Sequence, residues 1–140
     1  MTNKKIISEL SVFFPAYNEE ENIRQTVTKA IDVLKEITNK WEVIVIDDGS
    51  KDKTGEIVEE IRKDYPQKVK LITHQPNRGY GAALKSGLYN AEYHWIAFTD
   101  ADGQFDFKEI YHFIDEAKRE EADLVIGYRL QRQDPLKRRI

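Results

Sequence analysis

At 140 residues the chain is sized for one domain with a real core, and it is too short for two comfortable ones. Apolar residues at 40% and charged residues at 34% exclude a disordered or membrane-spanning composition, no run approaches the roughly 20 apolar residues of a bilayer crossing, and nothing in 1–9 reads as an export signal. A net charge of -3 argues against a nucleic-acid binder, and the lack of cysteine leaves oxygen and histidine as the only metal ligands, as suits a reducing compartment.

In chain order, residues 10–14 form an apolar run ended by Pro15, which reads as a buried strand stopped by a turn. Asn18 is a good helix N-cap with Glu21 at its third position, and Ile23, Val27, Ala30, Ile31, Leu34 and Ile37 follow at helical spacing. Residues 41–46 are a second strand, Asp47-Asp48-Gly49-Ser50 a turn, and Ile57, Val58 and Ile61 the inner face of a second helix that Pro66 follows. Residues 69–73 are a third strand, 81–90 a helix rich in small residues, and 94–99 a fourth strand. A helix bearing Ile110, Phe113, Ile114 and Ala117 then leads to a fifth strand at 123–127. Strands alternating with helices imply an α/β fold, a mostly parallel sheet with helices on both faces.

Ligands of such sheets bind beyond the carboxyl ends of the strands, and there the chemistry-bearing residues collect. Asp100-Ala101-Asp102 sets two carboxylates on an irregular turn, and Gln104 adds a neutral oxygen, a set suited to Mg²⁺ or Mn²⁺ with positions left open for phosphate. The same residues also read as a cap and plain turn chemistry. Asp47 reads as a turn residue, with Ser50 or Asp52 capping the next helix, whereas Asp48 is better placed to accept from a base N–H or a ribose hydroxyl. In Asn77-Arg78-Gly79-Tyr80-Gly81 the backbone N–H groups and Arg78 could face an anion, although Ala82, Ala83 and Gly87 fit close helix packing equally well.

Two nucleotide motifs fail: Leu84 stands where a P-loop or a dinucleotide fingerprint needs glycine. His74, His94 and His112 share no ligand spacing and read as structural or exposed.

Phe14-Pro15-Ala16-Tyr17-Asn18-Glu19-Glu20, Asp47-Asp48-Gly49-Ser50, Asn77-Arg78-Gly79-Tyr80-Gly81 and Asp100-Ala101-Asp102-Gly103-Gln104, in that order and spacing, resemble family 2 glycosyltransferases. The likeness is to the branch of dolichyl-phosphate mannose synthases and undecaprenyl-phosphate sugar transferases. It implies a GT-A fold, a Rossmann-like nucleotide-binding half spanning 1–140 as a single domain, cut short on its acceptor side and with activity weak or absent. It further implies that Pro15, Tyr17 and Glu19 line the nucleotide pocket, that Asp48 contacts the base, and that Asp100, Asp102 and Gln104 hold the metal bridging a diphosphate. Arg78 would face the nucleotide's anionic part.

By the same resemblance, Tyr128-Arg129 and Arg138-Arg139 would hold an acceptor phosphate, and Arg129 would be catalytic together with Asp100 and Asp102. Otherwise Arg129, Arg132, Lys137, Arg138 and Arg139 read as a solvated tail. The donor is then a nucleoside-diphosphate sugar and the acceptor a polyprenyl phosphate. With a second pKa of about 6, that phosphate is largely ionised at neutral pH and needs no general base. The full-length protein is expected in the cytoplasm, at the inner face of the membrane. Competing readings are a haloacid-dehalogenase-like phosphatase, from the Asp-x-Asp-Gly turn at Asp100, and a non-catalytic nucleotide-binding module.

Overall fold

The computed structural model describes residues 5–127. The chain divides into two compact units, Met1–Lys108 and Glu109–Ile140. The first holds β1 (Glu9–Ala16), α1 (Ile23–Ile37), β2 (Lys40–Asp47), α2 (Thr54–Asp64), β3 (Val69–Thr73), α3 (Tyr80–Asn90) and β4 (Ile96–Phe98). A 3₁₀ turn over Phe107–Glu109 leads into the second, whose described part is α4 (Ile110–Arg119) and the segment after it.

The sheet is parallel throughout, in the order β3-β2-β1-β4. Its two central strands are buried on both faces, which is why they read as continuous apolar runs rather than alternating ones. Alternation sorts their side chains all the same. Phe13, Ile44 and Ile46 turn to one face, where Ala83 of α3 joins them. Val12 and Phe14 with Val43 and Val45 turn to the other, opposite the apolar stripe of α1, whose Ile23, Val27, Ala30, Ile31, Leu34 and Ile37 are all buried. Each such aliphatic side chain contributes about 1.5–3 kcal/mol when fully withdrawn from water. α1 and α2 pack on one another, and α3 lies against β1 and β2.

The close approach of α3 depends on Gly87: a Cβ there would lie 2.3 Å from the Phe13 ring. Phe13 in turn stacks on Phe98 of β4, ring centroids 4.8 Å apart and ring planes nearly parallel.

Three local expectations are corrected. Pro15 does not end β1 but sits inside it, paired with Ile46. Ser11, on the same side of the β1 backbone, sends its N–H to Trp95 O at 2.8 Å, and β4 ends at Phe98 opposite Phe13. The N–H that proline lacks therefore falls past the end of that ladder, where it costs nothing.

Asn18 is not the cap of α1. It takes a left-handed φ of 52° and its side chain accepts from Lys51 N at 2.9 Å, while the Glu19 carbonyl opens the first turn by accepting from Ile23 N at 2.8 Å. Asn and Asp tolerate that conformation better than most residues, so the same side chain chemistry that suggests a cap serves a loop instead.

Finally, the fifth strand expected at 123–127 does not form: no ladder includes it among the described residues, and Leu124 and Ile126 are about three-quarters exposed. An apolar run becomes a strand only where a neighbour accepts its hydrogen bonds. Among the described residues no helix is long and apolar enough to cross a membrane.

Candidate functional site

Because every strand runs the same way, Ala16, Asp47, Thr73 and Phe98 finish at one edge, and the four loops that follow them form a common rim. The fifth segment expected there, with Tyr128 and Arg129, lies outside the described residues, as do Arg132, Lys137, Arg138 and Arg139.

The first two loops are laced together by side-chain caps. Asn18 N donates to Ser50 Oγ at 2.8 Å, Glu19 N to Thr54 Oγ1 at 2.9 Å and Glu20 N to Asp52 Oδ2 at 3.1 Å. Asp47 accepts from Ser50 N at 3.0 Å, the turn role its sequence position suggests, and Asp52 accepts from Thr54 N at 2.9 Å at the start of α2. Tyr17 stands at the rim about half exposed, whereas Pro15 is buried within β1.

Asp48 is the hub of the third loop. It is buried, and its Oδ1 accepts from Arg78 N at 2.8 Å and from His74 Nδ1 at 3.0 Å, while Oδ2 accepts from Gly79 N at 2.9 Å. Its own carbonyl accepts from Asn77 Nδ2 at 2.7 Å. The glycine-rich loop does cradle an anion with its backbone N–H groups, and that anion is Asp48. Burial works against the charge, but the Arg78 amide, His74 and the Gly79 amide more than offset it and hold the carboxyl below the ordinary 3.8. A carboxylate offers about four acceptor sites, and three are taken here.

Gly49 makes the arrangement possible. It has φ 76°, and a Cβ there would lie 2.7 Å from Asn77 N. His74 Nε2 meets Ser86 Oγ at 2.8 Å, which ties the loop to α3. From sequence alone His74 reads only as structural or exposed. Its position one residue past the end of β3 is the signal that puts it at the rim. The side chain of Arg78 is exposed.

The fourth loop holds the acidic turn. Ala101 is buried, its carbonyl 3.5 Å from Thr26 Oγ1 of α1, and the two aspartates flank it, each partly exposed. The charges of both aspartates reach the same two neighbours, Glu19 and Tyr80, so the turn holds them near one another. Gly103, with φ 79°, sits close to Asn22, and the exposed Gln104 donates its N–H to Asp102 Oδ1 at 3.0 Å.

The two carboxylates are felt by their neighbours. Glu19 is pushed upward by burial, pulled back by a bond from Asn22 Nδ2, and raised again by the charges of Asp102, Asp52 and Asp100. Tyr80 is pushed to about 12 by burial, by its bond to Asp100 and by the charges of Asp100 and Asp102, so its hydroxyl donates, to Asp100 Oδ1 at 3.0 Å. Among the described residues no three His, Cys, Asp or Glu side chains converge as a complete metal cage. An all-oxygen pair of carboxylates fits a hard divalent ion whose other positions are filled from outside the protein.

The model of the family described as "Glycosyl transferase family 2" matches residues 11–139. Among curated proteins, the dodecaprenyl-phosphate galacturonate synthase of Rhizobium johnstonii is 33% identical over 136 residues, covering 96% of this chain and 40% of that protein. The dolichyl-phosphate beta-glucosyltransferase ALG5A of Trichomonas vaginalis is 34% identical over 133 residues, covering 89% and 41%. Among solved structures, a mannosyltransferase of Pyrobaculum calidifontis in complex with GDP-Man and Mn²⁺ superposes with a TM-score of 0.61 at 28% identity, over 70% of this chain and 29% of that one. The chain spans about two fifths of the length of these curated relatives.

Proposed function

The chain belongs to glycosyl transferase family 2 and has the GT-A fold of its structural neighbours, and on that premise we propose that it is the nucleotide-sugar-binding part of an inverting, metal-dependent glycosyltransferase acting on a polyprenyl phosphate. The observation that carries the reading is the pairing of Asp100 and Asp102 about the buried Ala101, on the same rim as Glu19 and the Asp48 loop. Dodecaprenyl phosphate and dolichyl phosphate figure in the names of the curated relatives, which supports the acceptor class.

In this reading Asp100 and Asp102, with Gln104, hold Mg²⁺ or Mn²⁺. When bound, such an ion supplies positive charge against the diphosphate as the sugar's C1–O bond breaks. Tyr17 and Glu19 line the nucleoside pocket with the backbone at Pro15, Asp48 offers its remaining acceptor site to the base, and Arg78 faces the anionic part of the donor. Arg129 would hold the acceptor phosphate, which attacks directly because it is already ionised. The full-length protein would work at the cytoplasmic face of a membrane. The phosphatase alternative loses its footing, since the Asp100 turn follows the edge strand β4 rather than a first strand.

Calorimetric titration of the chain with UDP and with GDP, in Mn²⁺ and again after chelation, tests the reading. At least one nucleotide should bind in Mn²⁺ and weaken at least tenfold on chelation or on Asp102→Asn; equal affinity in both buffers refutes metal dependence. Sugar transfer by the longer protein, lost on Asp102→Asn, separates an enzyme from a binding module.

A further inference from the structure

The geometry points to Tyr80 as a positioning residue for Asp100, fixing the carboxylate in the orientation in which it meets a divalent cation. This inference rests on the metal reading above and deepens it. The phenol donates to Asp100 Oδ1 at 3.0 Å across 20 positions of sequence, from the first residue of α3 to the loop after β4.

A carboxylate on an irregular turn rotates freely about its terminal torsion unless something holds one oxygen, and a hydrogen bond to Oδ1 leaves Oδ2 and the remaining lone pair of Oδ1 to the ion. The donor is itself well held. Tyr80 follows Gly79, whose N–H is bound to Asp48 Oδ2 at 2.9 Å, and Ala83 N closes the first turn of α3 on Gly79 O at 3.1 Å. Asp48, Gly79, Tyr80 and Asp100 therefore form one chain of contacts from the expected base-contacting carboxylate to the expected cation-holding one. Tyr80 as a residue is more than half exposed and is not among the buried core residues. Partners that orient ligands in this way are worth roughly tenfold to a hundredfold in metal affinity.

The test is Mn²⁺ alone, titrated into the full 140-residue chain and followed by the electron paramagnetic resonance signal of the free ion, for the wild type, Tyr80→Phe, Asp100→Asn and the double variant. Tyr80→Phe should weaken Mn²⁺ binding about tenfold while leaving the metal-free melting temperature unchanged, and it should have no further effect in the Asp100→Asn background. Wild-type affinity in Tyr80→Phe, with Asp100→Asn impaired, overturns the positioning role and leaves the metal reading intact. Wild-type affinity in Asp100→Asn refutes the metal reading itself. A loss in Tyr80→Phe that persists undiminished in the Asp100→Asn background overturns the route through Asp100.

Discussion

Asp48 and His74, the first rim residues beyond β2 and β3, meet in a buried pair at 3.0 Å, and the imidazole reaches on to Ser86 of α3. Three elements are joined through one ring. Replacing His74 with leucine leaves a buried carboxylate short of one donor and a serine hydroxyl without its partner. The expected cost is about 2–3 kcal/mol in urea unfolding, against about 1 kcal/mol for Ser86→Ala, which removes only the outer bond. Equal costs for the two would mean that Asp48 does not depend on the ring.

Asp48 and Glu19 shift in opposite directions, and their pH signatures oppose one another. The folded state holds Asp48 below the ordinary 3.8, so its stabilisation is complete above that value and is lost as pH falls through the lower, folded pKa. Glu19 is held above 4.5, so its contribution is complete below 4.5 and is lost as pH rises through the folded pKa. Asp48→Asn should therefore lower stability near neutrality and flatten the acid limb. Glu19→Gln, which keeps the oxygen that accepts from Asn22, should raise stability at pH 7 in metal-free buffer and converge on the wild type below 4.5. Melting curves across pH 3–8 provide the comparison.

Gly87→Ala asks α3 to move, because the new methyl would overlap the Phe13 ring, which is already held in a stack on Phe98. Overpacking of this kind costs about 1–3 kcal/mol, and the lowered melting temperature should be partly restored by Phe13→Leu in the same chain.

Gly49→Ala tests the rim rather than the core. The left-handed backbone costs an alanine about 1–2 kcal/mol, and contact with Asn77 N would displace the loop that Asp48 gathers. Nucleotide affinity in Mn²⁺ should drop by more than the stability loss alone accounts for; unchanged affinity in the folded variant would separate that loop from the binding site.

Much of this architecture is legible in the chain itself. The β3 bounds, the helical stripe of α1 and the small-residue helix α3 follow from local periodicity, because apolar spacing and burial are two expressions of one constraint. The converging loops follow from the parallel order. What escapes is set by partners distant in sequence. Whether Pro15 ends a strand depends on how far β4 extends, whether 123–127 makes a strand depends on a neighbour, and Asn18 could not be assigned to a loop without Lys51. The same holds for Asp48: its neighbours in sequence announce a turn, and only the fold brings His74, Arg78 and Gly79 around it.

The order of strands carries a kinetic consequence. Of the four strands β1 is made before the others and lies in the middle of the sheet, yet Ser11 pairs with Ile96 and Phe13 waits for Phe98 to cover its ring. Closing so long a loop is entropically slow, and during synthesis β1 keeps an open flank until residues 96–98 have emerged. Residues 9–16, with Val12, Phe13 and Phe14 in succession, are thus exposed to self-association before folding finishes. Slow translation through residues 91–98 would lengthen that window.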